Sequence, residues 1–356
     1  MKIFKEMEKY EHEQLVFVHD KHTGLKGIIC IHDTTLGPGL GGTRIWNYES
    51  EEEAIKDVLR LARGMTYKNA AAGLNLGGGK AVIIGDASKI KSEALFRSFG
   101  RYVESLNGRY ITAEDVGTST GDMDFIKMET DHVVGLEGKS GDPSPITSLG
   151  GFYGIKAALQ FSFKDETISK YSYAVQGVGK TGMHMIDYLF AEGAKKVYFT
   201  DINKEKIDAI KEKHPEAILV KPDEIYTLDV DVFVPCALGG GLNDKTIPKL
   251  KCPIVAGVAN NVLEDENKHS QMLKDRNILY APDFVINAGG VINVYHELGG
   301  YVEEDAKADV KKIYDRLLEI FKISKEQNIH TQAAANVFAE NRIKLIHNIR
   351  GNYLGK

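Results

Sequence analysis

The sequence predicts an α/β protein of two domains, and three observations lead there. Strand-like and helix-like segments alternate along the chain, a Gly/Pro/Ser stretch at 138–145 interrupts them, and a βαβ series follows that stretch. A length of 356 residues suits two domains. Two apolar runs, at 15–18 and 28–31 and separated by Thr23 and Gly24, predict a hairpin. The segment 51–63 predicts a helix with Ser50 as N-cap and Ala54, Ile55, Val58, Leu59, Leu61 and Ala62 on its apolar face. A short strand at 81–84 follows Lys80, and 92–106 predicts a second amphipathic helix.

After the seam, strands are expected at 173–176 and 196–200 with a helix at 183–192 between them, and further strands at 230–234 and 254–256. Strands that alternate with helices imply a parallel sheet. The last fifty residues, notably 305–325 and 331–348, read as helical.

Composition excludes several classes. With 43% hydrophobic and 27% charged residues the chain is globular, and a net charge of −5 argues against nucleic acid as a partner. No run approaches the length of a membrane span, and residues 1–10 lack the apolar core of a secretory signal, so a cytoplasmic enzyme is expected. Cys30, Cys236 and Cys252 are odd in number and far apart, which suits buried thiols in a reducing compartment.

The segment 64–80 carries two lysines and no acid. A lysine among small apolar residues beside a second cation loses solvation and meets repulsion, so it can exchange protons near neutral pH. Lys68 and Lys80 are therefore candidates for a substrate-anion clamp and an acid/base. The alternative is two solvated lysines on a glycine-rich loop. Gly77, Gly78 and Gly79 just before Lys80 favour the first reading, as a backbone made open to a ligand.

The first βα turn after the seam reads Gly177-Val178-Gly179-Lys180-Thr181-Gly182, with Asp201 at the end of the following strand. The first glycine makes the turn, the second admits a pyrophosphate to the backbone, and the third packs helix on strand. Asp201 would accept from ribose hydroxyls and repel a 2′-phosphate, so NAD is the expected cofactor rather than NADP.

Three other patterns do not carry through. Gly179-Lys180-Thr181 imitates the end of a P-loop, but the glycine needed five residues earlier is Ala174. At 117–121 a G-x-S-x-G pattern has Glu114 and Asp115 where an apolar strand should lead in, so Ser119 or Thr120 reads as a helix N-cap. His296-Glu297 lacks a second histidine at zinc-binding spacing, and no metal is expected.

Taken together, Gly64-Met-Thr-Tyr-Lys68-Asn, Gly77-Gly-Gly-Lys80, Ala113-Glu-Asp115-Val-Gly and Pro282-Asp-Phe-Val-Ile-Asn287-Ala-Gly-Gly-Val291 resemble the glutamate, leucine, valine and phenylalanine dehydrogenases, in order and spacing. The resemblance spans nearly the whole chain and is strongest toward the leucine enzymes, through 32–44 and 143–147. It implies an N-terminal substrate-binding and assembly domain, 1–135, to which a final helix at about 335–356 returns. It also implies a Rossmann-type NAD-binding domain, 136–334, across a cleft, and a homo-oligomer, an octamer. By the same resemblance Lys68 clamps the substrate α-carboxylate, Lys80 is the base that activates water, and Asp115 shuttles the amino proton. The resemblance also implies that Thr147, Asn260 and Asn287 are polar groups near the nicotinamide and the substrate.

Substrate choice follows from the same comparison. Glutamate enzymes hold a lysine at the position of Leu40 and a serine at that of Val294, so Leu40 with Gly41, Ala113, Val291 and Val294 imply an aliphatic amino acid as substrate. An unpartnered carboxylate in such a pocket would cost several kcal/mol, whereas one methylene is worth only about 1 to 3 kcal/mol, so leucine, valine and isoleucine stay unranked. A valine or phenylalanine enzyme of the same family is the nearest alternative. A 2-hydroxy acid dehydrogenase would need a His and Arg pair and no ammonia.

Overall fold

The computed structural model describes residues 1–237 and 239–350, with the side chain of Arg350 excepted. The chain divides into two compact units. Among the described residues the first comprises 1–141 with Val294–Val302 and 339–350, and the second 142–293 with 303–338.

The first unit runs α1 (Ile3–Lys9), β1 (Gln14–Asp20), β2 (Leu25–Asp33), β3 (Gly39–Trp46), α2 (Glu51–Ala71), β4 (Gly77–Ile84), α3 (Ala87–Ile90), α4 (Glu93–Glu104), β5 (Tyr110–Glu114) and α5 (Thr120–Lys127). Its sheet has the order β1-β2-β4-β3-β5. The pairs β1/β2 and β2/β4 are antiparallel, whereas β4/β3 and β3/β5 are parallel. The hairpin at 15–31 is present, and Ser50 and Ser92 cap α2 and α4 through their side chains. Phe96, Phe99, Tyr110 and Ile126 are fully buried on one face of the sheet. On the other, Val58, Leu59 and Ala62 of α2 pack on Ile28, Cys30 and Val82.

Two expectations for this region are corrected. The helix predicted at 51–63 continues through Gly64 to Ala71, so Lys68 sits in its last turn and not on a loop. One glycine in an otherwise apolar-periodic segment costs only about 1 kcal/mol, less than the burial of the face it interrupts. The glycine run is likewise strand: β4 begins at Gly77. A Cβ on Gly78 would lie 2.0 Å from Thr66 Oγ1 and 2.5 Å from the Ala62 carbonyl, and one on Gly79 would meet the Tyr110 ring at 2.6 Å. These glycines let α2 and Tyr110 lie directly on the strand, so the protein itself fills the space expected to admit a ligand. Gly78→Ala should therefore lower stability by about 1 to 3 kcal/mol through overpacking. A thermal or urea unfolding midpoint equal to wild type would contradict this packing.

The second unit runs α6 (Ser144–Phe163), β6 (Ser172–Gln176), α7 (Lys180–Ala191), β7 (Lys196–Thr200), α8 (Lys204–Lys213), β8 (Ile218–Leu219), β9 (Val232–Pro235), β10 (Ile254–Val255), α9 (Glu266–Asp275), β11 (Leu279–Tyr280) and α10 (Asp283–Ile286). Then follow α11 (Gly289–Tyr295), which passes into the first unit's segment, α12 (Glu303–Lys311), α13 (Ile313–Gln327) and α14 (Thr331–Arg350). The six strands are all parallel in the order β11-β10-β9-β6-β7-β8. Read from β8, the first three strands run backwards in sequence and the next three forwards. That is the doubly wound Rossmann order, with its switch point between β6 and β9. The expected helix at 305–325 is broken at Lys312 into α12 and α13. Among the described residues no helix is long and apolar enough to cross a membrane.

Candidate active site

In the first unit, three strands bring charged groups to one point. Lys80 stands in β4, Arg44 in β3, and Asp115 directly follows β5. The register of β3 on β4 and β5 sets Leu40 beside Gly78 and Ile111, and Gly42 beside Ala113. A Cβ on Gly42 would lie 2.9 Å from Asp115 Cβ, so this glycine leaves the room that Asp115 occupies.

Lys80 is only 5% exposed, and its Nζ lies 3.2 Å from Asp115 Oδ2. Arg44 donates from Nε to the same oxygen at 2.8 Å and from Nη1 to Asp57 Oδ2 at 3.0 Å. Asp57 also accepts from Tyr48 at 2.8 Å and from Arg60 at 3.0 Å. Thr118 accepts the Asp115 amide at 2.8 Å and fixes the turn. Among the described residues Oδ1 of Asp115 accepts no hydrogen bond.

Burial pushes Lys80 below the ordinary lysine value, and Arg44 adds to the drop while Asp115 opposes it. For Asp115 burial acts upward, but Lys80 and Arg44 together outweigh it and hold the carboxyl below the usual range. The cation working on Lys80 across Asp115 is thus Arg44, which the sequence reading had not singled out. Its signal is visible only once 39–46 is seen as strand, because Leu40, Gly42 and Arg44 then share one face.

Lys68 lies in the last turn of α2. The next residue, Asn69, is fully buried and donates from Nδ2 to the Gly77 carbonyl at 2.6 Å, which ties this turn to the start of β4. Leu40, Gly41 and Ala113 are buried in β3 and β5. Gly41 has its carbonyl held by the Tyr110 hydroxyl at 2.7 Å. Val291 and Val294 both lie on α11, the former in the second unit's segment and the latter in the first's. Ser119 takes the N-cap of α5 with its amide donated to Asp122 at 2.8 Å, so the G-x-S-x-G pattern is a helix start.

The glycine turn of the second unit has three distinct geometries. Gly177 has φ +89°, and a Cβ there would meet Ala237 at 2.8 Å. A Cβ on Gly182 would lie 2.0 Å from the Gly177 carbonyl, so helix and turn touch through it. Gly179, the N-cap of α7, has by contrast only Lys206 Nζ nearby, at 3.9 Å from its would-be Cβ. The middle glycine is open, as a site for an anion at a helix N-terminus requires. Val178 donates its amide to Asp201 Oδ2 at 2.7 Å, and Asn203 donates to Oδ1 at 2.8 Å. A carboxylate has about four acceptor positions, so Asp201 is oriented with capacity left over.

Lys180 pairs with Asp142 at 3.0 Å, while the Thr181 carbonyl accepts from Ser148 at 2.8 Å. Asn287 donates to Asn260 Oδ1 at 2.7 Å. A Cβ on Gly290 would lie 2.9 Å from Thr147 Oγ1, so the start of α11 runs close to the first turn of α6. Asn260 and Asn287 stand beyond the carboxyl ends of β10 and β11, as Gly177 and Asp201 do for β6 and β7. Ligands of doubly wound sheets bind at those ends. All three cysteines are buried and free.

A Rossmann-ordered unit and a unit in which a buried lysine pairs with an aspartate together define a two-domain α/β dehydrogenase. The chain belongs to the Glu/Leu/Phe/Val dehydrogenase family. The model for the dimerisation domain of that family matches residues 12–132, and the model for the Glutamate/Leucine/Phenylalanine/Valine dehydrogenase domain matches 199–351. The chain is 55% identical to a leucine dehydrogenase of Thermoactinomyces intermedius, over 99% of this chain and 97% of the relative. The crystal structure of the L-tryptophan dehydrogenase of Nostoc punctiforme superposes with a TM-score of 0.88 at 49% identity, covering 97% of this chain and 99% of that one. A glutamate dehydrogenase of Peptoniphilus asaccharolyticus, 21% identical with a TM-score of 0.75 over 98% of this chain and 95% of that one, shares the fold.

Proposed function

We propose that this protein catalyses the reversible, NAD-dependent oxidative deamination of branched-chain L-amino acids, with L-leucine as a principal substrate. The observation that carries this reading is the pairing of buried Lys80 with half-buried Asp115, in a chain 55% identical to a leucine dehydrogenase. A lysine depressed by burial is a usable base near the working pH, and an aspartate with one free oxygen can carry a proton.

NAD, when bound, supplies the hydride acceptor, and the open Gly179 with the oriented Asp201 fits its pyrophosphate and ribose. Val178, Lys180, Thr181 and Gly182 complete that turn, and Thr147, Asn260 and Asn287 hold the nicotinamide end. Lys68 binds the α-carboxylate of the substrate. Lys80, as the neutral amine, takes a proton from water so that the oxygen can add to the substrate iminium carbon. Asp115 carries the proton to the departing amino group through Oδ1, because Oδ2 is held by Lys80 and Arg44. Ammonia leaves and the 2-oxo acid remains.

Leu40, Gly41, Ala113 and Val294 of the first unit give the substrate side chain aliphatic surroundings, and a γ-carboxylate there would stand without a partner. The exposed Phe17 on edge strand β1 and Trp46 at the end of β3 support a homo-oligomer formed through the first unit, and the octamer is what the family resemblance implies. NADH formation with L-leucine and NAD tests the reading directly. Turnover of lactate-like 2-hydroxy acids without ammonia, and none of leucine, would overturn it.

Asp201 allows an independent test. Asp201→Ser should weaken NAD binding and narrow the preference over NADP, since an oriented acceptor and a charge that repels the 2′-phosphate are both lost. A wild-type preference for NADP would contradict this role.

A further inference from the structure

Asp115 is held from two sides at one atom. Lys80 Nζ and Arg44 Nε lie 3.2 and 2.8 Å from Oδ2, and the other face of Arg44 is fixed by Asp57, itself bound by Tyr48 and Arg60. Five charged groups therefore alternate in sign: Lys80, Asp115, Arg44, Asp57 and Arg60. Asp57 comes from α2, two turns and more away in sequence from Lys68 and with no place in the chemistry. Arg44 and Asp57 are each only about one-fifth exposed. Arg44 and Asp57 are weakly screened, so a change at Asp57 is felt at Lys80, whereas the exposed Arg60 is solvated.

We propose that Arg44, braced by Asp57, is a positioning residue that shares Oδ2 of Asp115 with Lys80, keeps Oδ1 free for the substrate, and sets how tightly Asp115 holds the Lys80 ammonium. The proposal rests on the reading of Lys80 as the base. The charged and titratable groups around Lys80 are Asp115 after β5, Arg44 on β3, Asp57 on α2 with Tyr48 and Arg60 on it, and Cys30, its register partner on β2. Lys68 lies further along α2 and Tyr110 on β5. Cys30 is buried and pushed up to about 12, and Tyr110 is pushed above its ordinary value, so neither charges in the working range.

The two partners of the brace act on Lys80 with opposite sign. Without Arg44, Asp115 belongs to Lys80 alone and the ammonium is favoured. Without the charge of Asp57, the ammonium loses support, because Asp57 acts to raise Lys80 and Arg44 to lower it. A loss of packing would have no reason to split the two variants this way.

The experiment is the pH profile of kcat/KM for L-leucine oxidation in wild type, Arg44→Gln and Asp57→Asn, with Lys80→Ala alongside. NADH binding and thermal unfolding check that each variant is folded. The substrate's own ammonium titrates identically in all of them, so only differences between variants are read. The acidic limb should move up by about one pH unit in Arg44→Gln and down by a smaller amount in Asp57→Asn. Limbs that stay put, or move in the same direction, while Lys80→Ala is inactive would overturn the role of Arg44 and leave the base assignment standing. Wild-type turnover in Lys80→Ala would overturn both. Should Arg44→Gln fail to fold, Asp57→Asn decides alone: a downward shift supports the proposal, and any other result sinks it.

Discussion

Lys80→Ala is expected to reduce kcat for leucine deamination by at least about two orders of magnitude, the usual contribution of a positioned acid/base. The side chain is enclosed by the sheet, and burial with Arg44 nearby drives its ionisation below that of a free lysine. Deamination needs the neutral amine, so its rate should rise with pH through the depressed value and level off above it. Reductive amination runs the same steps backwards and needs the ammonium, so its rate should fall over that interval. The NAD site proposed above lies in the other unit, so NAD binding should be nearly unchanged. The measurement is steady-state kinetics in both directions across pH, with NADH binding by fluorescence. Turnover near that of wild type, or a flat forward profile from neutral to alkaline pH, would remove Lys80 from the role of base.

The second large effect is expected in the pocket. Leu40 is 1% exposed in β3, on the same strand face as Gly42 and Arg44, and Val294 is half-buried on α11. Leu40→Lys with Val294→Ser would put an ammonium and a hydroxyl where an aliphatic side chain is to be met. An unpaired buried charge costs several kcal/mol, so kcat/KM for leucine should fall by about a thousandfold or more, with the NAD constant little altered. Glutamate turnover should appear only weakly, because a usable site also needs shape and supporting hydrogen bonds. A thermal unfolding scan separates a pocket effect from a fold effect. A folded double variant that keeps wild-type efficiency on leucine would show that these two side chains do not meet the substrate, and with that the argument against glutamate would fail.

Much of the second unit was legible in the chain. Its strands are short apolar runs, the helix after the glycine turn is amphipathic, and Gly177, Gly182 and Asp201 stand at fixed offsets because a βα turn is a local structure made by neighbours in sequence, whereas α6 is apolar all round and shows no such period. The hairpin at 15–31 and the cap Ser50 were legible for the same reason, while Ser92, read as part of the helix, is its N-cap. Where local signals mislead, the causes are specific. The strand Gly39–Trp46 contains three glycines and the strand Gly77–Ile84 begins with three, and glycine carries no face to alternate. Gly64 looks like a helix end only until the packing of α2 on Gly78 is seen.

The sequence by itself determined the two-domain α/β class, the parallel βαβ half with its nucleotide turn, and the resemblance that points to Lys68, Lys80 and Asp115. Only the tertiary structure decided that Lys80 lies in a strand packed beneath a helix, and that its neighbours are Asp115 and Arg44. Those three residues come from β4, the end of β5 and β3, and they are neighbours only because parallel pairing on both sides of β3 puts the ends of the strands side by side. Such pairing is non-local, set by the burial of whole strand faces, and no spacing along the chain encodes it.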